Sequence, residues 1–115
     1  MMNTKPTATM KRLYLKYEDG DKELAEDILI DAIDPDWLID FTRNKIAEME
    51  KNGVTFEAVK ELYTEFDKVY PEDHFLPIEQ VGTYDIDGTD PFANEVSIIW
   101  PEERRSTQIT TFYLE

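Results

Sequence analysis

Cysteine is absent, histidine occurs once, and glycine occurs only four times in 115 residues. Without cysteine there is no disulfide framework and no thiolate metal site, which fits a reducing compartment. A metal centre on His74 would have to draw every other ligand from carboxylates. Ser97 and Ser106 are the only serines, and the chain has no G-x-S-x-G, P-loop or G-x-G-x-x-G pattern. Long hydrophobic runs are also missing. Nothing approaches the ~20 apolar residues of a membrane span, and the opening MMNTKPTATMKRLYLKY holds no apolar run of signal-peptide length. These absences predict a soluble, cytoplasmic protein that is not an enzyme and has no cofactor, no metal and no membrane association.

Basic residues are scarce as well, with 12 Lys and Arg against 26 Asp and Glu, a net charge of −14 and a pI near 4.3. Such a surface repels nucleic-acid phosphates and anionic lipids, so direct nucleic-acid binding is excluded and a basic partner is favoured. The acid is unevenly spread. Residues 18–40 contain ten acids and only Lys22, and residues 72–103 contain nine acids and no base, whereas residues 1–17 are basic throughout. Hydrophobic residues at 41% and aromatics at 12% exceed what a disordered acidic tail carries, so one folded domain over 1–115 is expected, with residues 1–8 as a loose end.

The apolar pattern predicts helices first and strands second. Met10, Leu13, Tyr14 and Tyr17 suit a short helix, although Leu13, Leu15 and Tyr17 alternate as in a strand. Asp21 reads as the N-cap of a second helix running to about Ile33, with Leu24, Ala25, Ile28, Leu29, Ala32 and Ile33 buried. Asp34-Pro35-Asp36 opens a third helix that Asn52-Gly53 closes. Thr55 caps a fourth, with Val59, Leu62, Tyr63, Phe66, Val69 and Tyr70 at helical spacing and Pro71 at its end. Trp37 and Trp100 are expected in the core. Beyond Pro71, alternation predicts strands over 80–86, 94–100 and 107–114 in an antiparallel meander. The expected fold class is α+β: about four N-terminal helices packed on a C-terminal three-stranded antiparallel sheet.

On the predicted second helix Glu23, Asp27 and Asp31 form a row at i, i+4, i+8, which Asp34, Asp36 and Asp40 continue. A helix row offers one charge per ~6 Å of axis, whereas a DNA strand offers one per ~3.4 Å. The row needs the acids of 72–103 beside it, Asp85, Asp87 and Asp90 among them, to imitate a phosphate backbone. These nine residues are the candidate partner-binding set. The loop from Asp85 to Asp90 clusters carboxylates on a glycine turn, as a calcium site would. Its EF-hand register fails, because Asp90 falls where the glycine belongs and Val96 where the bidentate Glu belongs.

In size, charge and absence of catalytic motifs the chain resembles small acidic DNA-mimic proteins of bacteria and phages, especially the neisserial type that binds the histone-like protein HU. That resemblance implies a monomer that occupies the DNA-binding face of a basic protein: a histone-like protein, a repressor or a nuclease. Immunity proteins for nuclease toxins follow the same logic. The alternatives are an interaction domain whose acidity only solubilises it, and a divalent-cation-binding protein.

Overall fold

The computed structural model describes residues 11–80, 95–101 and 109–115. Its chain order is β1 (Leu13–Tyr17), β2 (Lys22–Leu24), α1 (Ala25–Leu29), α2 (Asp36–Asn52), α3 (Phe56–Val69), a 3-10 turn (Pro71–Asp73), β3 (Glu79–Gln80), β4 (Glu95–Ile99) and β5 (Ile109–Leu114). The strands form one sheet in the order β2-β1-β5-β4-β3, every neighbouring pair antiparallel. The α+β class holds, but the expected layout is corrected. Among the described residues there are three α-helices and five strands, and two of the strands come first.

The first expected helix is β1. Leu13 and Leu15 point into the core while Lys16 is exposed, so the alternating pattern wins over the helical one. The deciding partner is remote: β1 pairs with β5 from Leu13 opposite Leu114 to Tyr17 opposite Thr110. Without β1, the N–H and C=O groups on that side of β5 would lack strand partners. Asp21 does not cap a helix. It closes a hairpin in which the Tyr17 N–H donates to the Asp21 carbonyl at 2.9 Å and the Asp21 N–H donates to Asp19 Oδ1 at 3.0 Å. Gly20, at φ 99°, takes the left-handed position in that turn.

Only Ala25–Leu29 of the second expected helix is helical. It stops because two aspartates offer the backbone other partners. The Asp31 N–H donates to Asp34 Oδ2 at 3.1 Å, the Ile33 N–H to Asp31 Oδ1 at 3.2 Å, and the Asp34 N–H to the Asp31 carbonyl at 2.9 Å. Such side-chain bonds compete with the helical ladder. Pro35 further biases Asp34 away from helical geometry. The N-cap of α2 is Pro35, one residue later than expected, and Asp36 is its first residue. Gly53 ends α2 and the Thr55 hydroxyl accepts from the Ala58 N–H at 3.1 Å, both as the sequence predicts.

One face of the sheet supplies Leu13, Leu15, Val96, Ile98 and Phe112 to the core. Leu38, Ile46 and Met49 of α2 pack there with Val59, Leu62, Tyr63 and Phe66 of α3. Trp100 is buried as expected, its Nε1 donating to Thr110 Oγ1 at 2.7 Å. Lys45 joins the two long helices, reaching Glu61 at 2.6 Å and Glu48 at 3.5 Å. The opposite sheet face is polar: Tyr14 stacks on Tyr113 at 5.8 Å, Lys22 lies over the Tyr14 ring, and Ser97 bonds Thr111. Among the described residues no helix is long and apolar enough to cross a membrane. The expected strand beyond Gln80, the loop with Asp85, Asp87 and Asp90, and residues 1–8 lie outside the described residues.

Candidate functional site

The six described candidates divide among four places. Glu23 lies on β2, Asp27 on α1, Asp31 and Asp34 in the turn after α1, and Asp36 and Asp40 on the first turns of α2. The helical row at 23, 27 and 31 therefore does not exist, because α1 includes only Asp27 of the three. Asp36 and Asp40, four residues apart on one helix, do share a face. All but Asp34 are exposed.

Tyr70, at the end of α3, gathers acids from both halves of the chain. Its hydroxyl donates to Asp34 Oδ1. Its pKa is pushed up to about 12, first by that hydrogen bond, then by desolvation, then by the negative charges of Asp34, Asp31 and Asp73. A tyrosinate there would add a further negative charge to a site already holding three. Asp73 belongs to the 3-10 turn three residues further on, so one acid of the 72–103 segment adds to the negative field that Asp34 and Asp31 exert on this phenol. The link is made by Tyr70, a residue whose helical spacing marks it only as core.

The same segment exposes apolar side chains that the periodicity places inside. Ile33 is 79% exposed and Trp37 is 50% exposed, which corrects both expectations. The reason is the early end of α1. Once Asp31 and Asp34 form a turn, Ile33 leaves the helical face that would have buried it. Trp37, next to Asp36 in the first turn of α2, points off the core side that Leu38 takes. An isolated exposed isoleucine is ordinary on a protein surface. A half-exposed tryptophan four residues further along the chain, between Asp34, Asp36 and Asp40, puts two exposed apolar side chains in one acidic segment.

Among the described residues these acids have no basic counterpart. The ion pairs among the described residues are Arg12 with Glu26 and Glu50, Lys22 with Glu115, Lys45 with Glu48 and Glu61, and Lys68 with Glu65. None involves Asp27, Asp31, Asp34, Asp36, Asp40 or Asp73. Carboxylates left this way keep their full field toward solvent, damped only by salt. No group of three or more metal-ligating side chains occurs among the described residues. His74, φ 48°, follows the 3-10 turn and is exposed.

A second feature lies on the helix side of the sheet. A pocket of about 410 Å³ opens between β1, α1, α3 and the chain after the 3-10 turn. Leu29, Tyr63, Phe66 and Trp100 form its buried depth, and Tyr17, Asp19, Ile28 and Phe75 its rim. Sequence spacing marks Tyr63 and Phe66 as core but gives no sign of a cavity, since its walls come from six separate stretches of chain.

No protein-family model matches the chain, and no curated protein or solved structure matches it.

Proposed function

We propose that this chain is an acidic binding protein, monomeric and cytoplasmic, that covers the basic surface of a nucleic-acid-binding protein in place of DNA. Asp27, Asp31, Asp34, Asp36, Asp40 and Asp73 supply the charge, and Trp37 and Ile33 supply apolar contact. The observation that carries this reading is the half-exposed Trp37 within unpaired acids. Charge that served solubility alone would have no use for an exposed tryptophan, whose burial against a partner is worth roughly 2 kcal/mol. Tryptophan ringed by polar groups is the common composition of a binding hot spot. The chain acts by occupying the partner and carries out no reaction. The unpaired acids steer a basic groove toward this face, so association is fast at low salt and falls as salt rises.

The test is capture of partners at low and high salt, followed by displacement with duplex DNA. Basic DNA-binding proteins should be retained only at low salt and released by DNA. The triple variant Asp27→Asn, Asp36→Asn, Asp40→Asn should bind the recovered protein at least about tenfold more weakly. Trp37→Ala should weaken it by a similar factor. Equal binding by wild type and the triple variant would show that this face is not the contact surface.

A further inference from the structure

The aromatic pocket beside β1 has the size of a small-molecule site, which runs from roughly 300 to 1,000 Å³. Its rings hold one another in place. Tyr63 meets Trp100 edge-on at 4.8 Å and lies 5.4 Å from Phe75, which in turn stands 5.7 Å from Phe66 and 6.3 Å from Trp100. Tyr17 adds a fifth ring at the rim. At the same rim stands Asp19, exposed, with Oδ1 fixed by the Asp21 N–H at 3.0 Å and no ion-pair partner among the described residues. The field there is negative: the Tyr17 phenol is pushed above its ordinary value by burial and then by the charges of Glu23 and Asp19.

We propose that this pocket binds a small organic cation, an alkyl- or aryl-ammonium compound, whose apolar body lies against the aromatic depth and whose charge sits between the ring faces and Asp19. Aromatic faces attract cations through their quadrupole, and the attraction grows where water is displaced. The apolar body gains from leaving water. An anion of the same shape meets Asp19, Glu23 and a chain of net charge −14, and is refused. The pocket lining shares no residue with the acidic face around Trp37, and each can fail without the other.

Trp100 lines the pocket and Trp37 does not, so the full chain carrying Trp37→Phe has a single tryptophan that reports on the cavity. That protein is titrated with benzyltrimethylammonium, benzyl alcohol and benzenesulfonate, following tryptophan emission and the heat of binding. The cation should bind about tenfold or more tighter than the alcohol, and the sulfonate should not bind. Asp19→Asn keeps an oxygen for the Asp21 N–H and removes the charge. It should weaken the cation roughly five- to tenfold and leave the alcohol unchanged. Ile28→Phe, at the rim, should weaken both ligands while Trp100 stays the single reporter and the melting temperature holds. Equal affinity for cation and alcohol, an undiminished cation affinity in Asp19→Asn, or no binding of any of the three would overturn the proposal.

Discussion

Tyr70 titrates under the influence of three carboxylates, and that has a consequence at high pH. Its folded pKa, about 12, lies above the ordinary 10.0. A raised pKa means that the folded state holds the proton more tightly. The stability gained is fully present below pH 10 and is lost as pH rises from there through about 12. Asp34→Asn removes the largest cause, so phenolate absorbance should show one tyrosine returning toward its ordinary pKa and the alkaline fall in stability should shrink. Thr42 makes the opposite case. It is 1% exposed, and its Oγ1 has no hydrogen-bond partner among the described residues. Thr42→Val keeps the shape and removes the unpaired hydroxyl, so the urea midpoint should rise by the equivalent of about 1 kcal/mol with an unchanged slope. Neither effect is legible in the sequence, where Thr42 and Tyr70 are simply residues on amphipathic helices.

Among the elements, α3 is the one whose limits the sequence states most fully. Its cap, its period and its terminating proline are all local. The cap should behave accordingly, with Thr55→Ala costing about 1 kcal/mol in denaturant unfolding. The junction before it is stricter. Gly53 has φ 104° and ψ 155°, a region open essentially to glycine alone. Gly53→Ala meets no atom within 4 Å, so any loss is backbone strain, about 1–3 kcal/mol, and no compensating repacking should appear. By contrast, β1, β2 and α1 are misread. Residues 13–17 satisfy two periods at once, and pairing with β2 on one side and with β5, about a hundred residues away in sequence, on the other selects the strand. Residues 21–33 have a helical apolar spacing, but hairpin pairing claims one end and the side chains of Asp31 and Asp34 claim the other. Local propensity loses where a remote or side-chain partner satisfies the backbone better.

For the whole molecule the charge of −14, which the proposed function relies on, is a cost to stability. Like charges within a Debye length repel, and that length falls to about 8 Å at physiological ionic strength. The melting temperature should therefore rise as salt is added from low ionic strength. The triple variant at Asp27, Asp36 and Asp40 should show a smaller rise, measured by calorimetry. Partner binding moves the other way with salt, so the two measurements separate folding from recognition. By itself the sequence determined the charge and its two acidic segments, the absence of cysteine chemistry, the α+β class, the bounds of α3 and the closing residues of α2. Each of those follows from composition or from contacts within a few residues. Only the tertiary structure decided that the N-terminus forms strands, that Glu23, Asp27 and Asp31 share no helix, and that Trp37 faces outward. It also decided that Asp34 bonds the Tyr70 hydroxyl, and that aromatic rings from distant stretches enclose a pocket. The pairing of β1 with β5, the Asp34–Tyr70 bond and the pocket join residues far apart in the chain, which no local pattern encodes; the early end of α1 comes from aspartate side chains two and three residues away, which override the apolar spacing.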